Sequence, residues 1–202
     1  MNDDARLVKR LLAGETRAFE EAVNTYQSAM HAVAYAIVGS RGSEDVVQEA
    51  WLSVVRSLSG FQFRSSLKTW LLTITANLAK SHYKRNRREV LLDDVPSPHG
   101  TFDDDRFSPD DGHWLLAPYM WHEDTPEALL TENELRQCLE HTLQHLPQLQ
   151  SGVLLLRDRQ GLSLEEICIL LDISLSNVRV LLHRARLKVF ATVEHFEETG
   201  EC

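Results

Sequence analysis

Residues 162–190, LSLEEICILLDISLSNVRVLLHRARLKVF, constrain the fold most tightly, because the segment contains two helical signals separated by only three residues. Ser163 with Glu166 three positions later makes a capping box, in which a hydroxyl and a carboxylate satisfy otherwise unpaired N–H groups. A helix is therefore predicted to open there and run to about Leu171. Asp172, Ile173 and Ser174 form the turn, and Ser174 can cap a second helix reaching about Phe190. This is helix-turn-helix geometry. At 100° per residue, Val178, Leu181, Leu182, Ala185 and Val189 share one face of the second helix and are expected to pack inward. Ser176, Val180 and His183 face the other way, flanked by Asn177, Arg179 and Arg184. A polar and basic face near a helix N-terminus suits base edges and phosphates in a major groove.

The rest of the chain has helical periodicity and no persuasive strand, so the expected class is all-α. Residues 5–90 form one apolar-periodic block, with Gly39 and Gly42 breaking the pattern and Ser43-Glu44-Asp45 expected in the first turn of a new helix. That helix carries Val46, Val47, Ala50, Trp51, Val54 and Val55. A further helix is expected from about Leu67 to Asn86, with Leu67, Leu71, Ile74 and Leu78 inward. Residues 91–127 contain five of the six prolines and ten of the thirty acids, with no lysine among them, and read as an acidic linker. Periodicity resumes at Ala128 and continues to about 197. Two small helical domains, 5–90 and 128–197, joined by an acidic, proline-containing linker are thus expected.

A net charge of −9, taken as a total, argues against a nucleic-acid partner, but the charge is segregated. From Arg64 to Arg88, and again from Ser174 to Phe190, every Asp, Glu, Lys or Arg is a cation. A Debye length of about 8–10 Å separates such local fields from acids elsewhere. Two further strings stand out. SEDVVQEAW (43–51) puts Glu44, Asp45, Gln48 and Glu49 on the polar side of a helix. GFQFRSSLKTWLLTITANLAKSHYKRNRR (60–88) couples an aromatic loop to a basic helix, a composition suited to single-stranded DNA, where bases stack on rings and cations meet phosphates. Phe61, Phe63 and Trp70 are equally suited to a core.

Taken in order, S-E-D-V-V-Q-E-A-W, F-x-F-x-S-S-L-K-T-W-L and L-L-H-R-A-R resemble the extracytoplasmic-function sigma factors, a branch of the sigma-70-type family that brings RNA polymerase to promoters. The resemblance covers about 5–90 (region two) and 128–192 (region four). It implies that Asp45, Gln48 and Glu49 face the clamp of the polymerase's largest subunit. It implies too that Phe61, Phe63, Arg64, Ser65, Ser66 and Asn77 hold a flipped base of the −10 element, with Lys80, Lys84, Arg85 and Arg88 along its backbone. Ser174, Ser176, Asn177, Arg179, His183 and Arg184 match the positions that read the −35 element. Where the family often has a basic residue, this chain has Leu181. The resemblance further implies an anti-sigma partner and a stress or envelope response, and no catalytic residue, cofactor or small-molecule substrate.

Two other readings stay open at the level of residues. A stand-alone helix-turn-helix repressor explains 162–190 equally well but leaves 60–88 without a role. Cys138, His141 and His145 fall near one helix face, as metal ligands do, yet they flank a leucine stripe and no fourth ligand is evident. Three cysteines without a CxxC pair or framework spacing fit a reducing cytoplasm. MNDDARLVKR has no apolar signal core, no apolar run is long enough to span a bilayer, and neither export nor membrane insertion is expected.

Overall fold

The computed structural model describes residues 3–86 and 126–202, all helix, turn and loop. The helices are α1 (Asp3–Leu12), α2 (Thr16–Val38), α3 (Ser40–Ser57), α4 (Leu67–Asn86), α5 (Pro126–His145), α6 (Gln148–Leu154), α7 (Leu164–Leu171) and α8 (Leu175–Thr199). The expected linker, apart from its last residues Pro126 and Glu127, lies outside the described residues, as do Arg88, Trp114 and Trp121.

α2 is the hub of the N-terminal half. Its buried side is rich in alanine (Ala18, Ala22, Ala29, Ala32, Ala34, Ala36), with Met30 and Val33 between. Short side chains let neighbouring helices approach closely, and α1, α3, α4 and α6 all pack on it. Asp4 of α1 accepts a 2.8 Å hydrogen bond from the Leu67 N–H and so caps α4 from a distance in sequence. Gly39 alone, at φ 78°, makes the break expected of two glycines; Gly42 lies inside α3. Because α3 starts at Ser40, Ser43 is in its second turn and buried, its hydroxyl 3.2 Å from His31 Nε2.

Two inward faces are corrected by packing. On α4 the buried residues are Leu67, Leu71, Leu72, Thr75, Ala76 and Ala79, whereas Ile74 and Leu78 are only half-buried at the margin. On α3, Val46, Val47, Ala50 and Val54 are buried, but Val55 is exposed.

The C-terminal half is organised around α8. Pro147 starts α6, which passes into a π-helical turn over Leu155–Arg159. The wider turn brings Asp158 to Arg186, whose Nε and Nη2 donate at 3.0 and 2.5 Å to the two carboxylate oxygens. Arg186 is 2% exposed, so a charge taken by its sequence for surface is the largest fully buried side chain among the described residues. Burial is tolerated because both ends of the fork are paired.

The two halves share one apolar core, running from α2 and α4 through Leu146, Val153, Leu154 and Leu156 to Val178 and Leu182. The tightest point is Gly152 on α6, where an added Cβ would lie 2.3 Å from Ala36 Cβ. Polar bonds cross the same seam: Gln148 Nε2 to the Ala36 carbonyl (3.2 Å), Gln160 Nε2 to Ser28 Oγ (3.0 Å) and Lys68 Nζ to the Gln160 carbonyl (2.7 Å).

Candidate nucleic-acid interface

The helix-turn-helix forms where its capping residues place it. The Glu166 N–H donates to Ser163 Oγ at 3.1 Å, and the Ser163 N–H donates to Glu166 Oε2 at 2.8 Å, so both halves of the capping box are made. α7 ends at Asp172 in the left-handed region (φ 60°), which an aspartate tolerates better than most residues. Ser174 Oγ accepts from the Asn177 N–H at 3.2 Å and opens α8. α8 continues to Thr199, well past the Phe190 limit of the motif.

Val178, Leu182 and Ala185 of α8 are fully buried, and Leu181 and Val189 pack at the core's edge. Ser174, Ser176, Asn177, Arg179 and Val180 are exposed on the first two turns; His183 and Arg184 are half-buried one turn on. Seating the inner face on α6 and α7 aims this polar strip outward. Its N-terminal end also carries the positive end of the helix dipole.

The aromatic loop divides its labour. Phe61, 9% exposed, closes the core under the loop, with ring centroids 4.8 Å from Phe63 and 4.9 Å from Trp70. Phe63 is 51% exposed and held at φ 56°, a backbone conformation that costs a bulky residue free energy. The outcome is one anchored ring supporting one presented ring, an arrangement able to stack on a base. Arg64 and Ser65 are exposed. Ser66 is occupied as a cap, its Oγ accepting from the Thr69 N–H at 3.1 Å. Asn77, Lys84 and Arg85 are exposed along α4, with Lys80 half-buried between them. Lys80 and Lys84 therefore follow Asn77 along one side of the helix, at spacings of three and four residues, with Arg85 next to Lys84 round the helix.

On α3, Glu44, Asp45, Gln48 and Glu49 are exposed. Glu49 is not free: its Oε2 lies 2.6 Å from His82 Nε2 on α4. Periodicity alone missed that Leu52 (58% exposed) and Val55 (54%) continue this strip as an apolar extension. Leu52 stands four residues after Gln48 and Val55 three after Leu52, and that helical spacing is the signal that would have found them. The Cys138, His141 and His145 set separates: Cys138 bonds to Cys202, and the two imidazoles stack on each other with centroids 4.1 Å apart. No group of three His, Cys, Asp or Glu among the described residues is placed to hold a metal ion.

Comparison with known proteins identifies both halves. Residues 22–89 match the family model for sigma-70 region 2, and residues 136–189 match that for sigma-70, region 4. The ECF RNA polymerase sigma-E factor of Haemophilus influenzae is 28% identical over 183 residues, covering 91% of both chains. Its counterpart from Escherichia coli K12 is 31% identical over 183 residues, covering 91% of this chain and 90% of that one. Among solved structures, the sigma factor RpoE in complex with the anti-sigma factor NepR from Bartonella quintana has the same fold. It superposes with a TM-score of 0.50 at 18% identity, over 89% of this chain and 98% of that one. With both regions matched in order and a relative aligned over nine-tenths of its length, the chain belongs to the extracytoplasmic-function (ECF) family of RNA polymerase sigma factors.

Proposed function

We propose that the chain directs the RNA polymerase core to promoters as an initiation factor without enzymatic activity or cofactor, working in the cytoplasm under an anti-sigma factor. The α3 strip of Asp45, Gln48 and Glu49, lengthened by Leu52 and Val55, faces the polymerase clamp. The Phe61–Ser66 loop and Asn77 receive the flipped −10 base, while Lys80, Lys84, Arg85 and Arg88 follow the backbone. Ser174, Ser176, Asn177, Arg179, His183 and Arg184 read the −35 element. Residues 5–90 act as the −10 unit and 128–197 as the −35 unit. The observation that carries this reading is the capped helix-turn-helix with its exposed, acid-free first turns on α8. The anti-sigma partner is supported by the related factor being solved in complex with one.

The promoter geometry makes a demand on the fold. Elements centred about 25 base pairs apart are separated by on the order of 85 Å at about 3.4 Å per pair. Halves packed through Ala36 and Gly152 do not reach both, so they part before the promoter is bound. The 39 residues between α4 and α5 span at most about 130 Å when extended, enough for that separation. In vitro transcription with core polymerase on a genomic library tests the reading. Discrete start sites that require this chain support it; tight, sequence-specific duplex binding without any affinity for core would replace it with a repressor.

A further inference from the structure

Cys138 and Cys202, separated by 64 residues, are brought together by the fold. Cys138 sits on the side of α5 that packs on α8 and is 1% exposed. One turn further along, Thr142 Oγ1 lies 2.8 Å from Thr192 Oγ1, fixing the register of the two helices. Gly200, at φ 71°, ends α8 with its N–H bonded to the Phe196 carbonyl and turns the chain back. Thr199 Oγ1 donates to the His195 carbonyl and accepts from the Glu201 N–H at 3.1 Å. These bonds deliver Cys202 to α5 with a Cα–Cα distance of 5.2 Å, within the range a disulfide requires. The third cysteine, Cys168, is on α7, packed at the core's edge and unbridged.

We infer that Cys138 and Cys202 are a redox modification site, a thiol pair that peroxide closes into a staple across region four. The inference rests on the sigma-factor reading only in placing the pair in a reducing compartment, where its resting state is the dithiol. Cys202 is exposed and reacts first. Its thiolate sulfur attacks one peroxide oxygen, the O–O bond breaks, and the released hydroxide takes up a proton as water, leaving Cys202 as a sulfenic acid. Cys138 sulfur then attacks Cys202 sulfur. The S–O bond breaks, and the hydroxyl leaves as water with the Cys138 proton. Two thiols have given two electrons to one peroxide, and exchange with a reducing dithiol reverses the change.

The staple's position defines what it does. It joins α5 to the far end of α8, and both cysteines lie in the same half, so it does not tie the halves together. Arg179 and Thr199 are twenty residues apart, about 30 Å along the helix, so the promoter-reading face is out of its reach. Closing a loop of this size restricts the unfolded chain and lowers the unfolding equilibrium constant by about a hundred- to a thousandfold. Oxidation therefore prolongs the life of region four without changing what it reads.

The test uses the full chain, reduced and then treated with hydrogen peroxide, beside Cys202→Ser and Cys168→Ser. Cys202→Ser changes an exposed residue outside the helices and avoids disturbing the buried Cys138. Peroxide is expected to remove two hydrogens from the wild type and from Cys168→Ser, to yield a peptide joining 138 to 202, and to lengthen trypsin half-life at least tenfold. Cys202→Ser shows none of these. Promoter affinity in holoenzyme stays within twofold on oxidation. A cross-link through Cys168, conversion to sulfinic acid without a bridge, or equal protection of Cys202→Ser overturns the proposal. So does a bridge-dependent loss of promoter affinity. Failure to assemble with core polymerase overturns the sigma reading instead, leaving the mass and proteolysis results to stand.

Discussion

Replacing Gly152 with alanine tests whether the two halves meet as closely in solution as they do across α2 and α6. The new Cβ would stand 2.3 Å from Ala36 Cβ and 2.7 Å from its Cα. Carbon atoms in contact prefer about 3.5–4.0 Å, so the helices must separate by about 1.2–1.7 Å. Ala36 offers a methyl and backbone, with no flexible side chain to swing away. That displacement carries the Gln148–Ala36, Gln160–Ser28 and Lys68–Gln160 bonds, now 2.7–3.2 Å long, toward or past the hydrogen-bond limit. Overpacking costs about 1–3 kcal/mol, and the weakened bonds bring the total to about 2–4 kcal/mol against the closed form. Meanwhile alanine improves α6 by up to about 1 kcal/mol through helix propensity, so region four itself is not weakened. The closed-to-open ratio should fall by about thirty- to several-hundredfold. Small-angle scattering should report a larger radius of gyration, amide exchange should quicken along α2 near Ala36, and promoter binding should not weaken. Unchanged radius, exchange and melting temperature would refute the close approach from which the figure is worked.

Other outcomes follow from local geometry. Asp158→Asn should destabilise region four by about 3 kcal/mol, because it leaves Arg186 charged and buried, with some relief since Asp158 is 35% exposed; urea unfolding checks this. Ser163→Ala, which removes one bond of the capping box, should cost about 1 kcal/mol by the same measurement. Arg184→Ala should lower affinity on all promoters and reduce the salt slope by about one unit, whereas Asn177→Ala should shift preference among −35 sequences with little change in slope. Holoenzyme binding at several salt concentrations separates them. Burial, with Glu165 nearby, pushes the Cys168 thiol above its ordinary pKa, so at mildly alkaline pH it should react with iodoacetamide more slowly than a free cysteine. Since the thiol is neutral when folded, its contribution to stability is complete below the unfolded pKa and declines as pH rises through the folded one.

What the sequence determined by itself was everything carried by neighbours within about four residues. The Ser163–Glu166 box, the Ser174 cap and the Ser66 cap on α4 are local competitions between side chains and backbone, so their outcome is written where it happens. The segregation of cations onto 64–88 and 174–190 was legible for the same reason, and the motif strings added the family. Tertiary structure alone decided the partners of long reach. Arg186 reads as one more surface cation until the π-helical turn supplies Asp158 from 28 residues away. Cys138 and Cys202 have no spacing that pairs them; Gly200 and the α5–α8 register do. Val55 belongs to an apolar stripe by periodicity, yet the core takes Val54 and Leu58 and leaves it exposed beside Leu52. The docking of the halves through Ala36 and Gly152 was equally invisible, because a small residue announces only that something can come close. Which surface comes close is settled by shape and burial summed over the whole core, and no local pattern contains that sum.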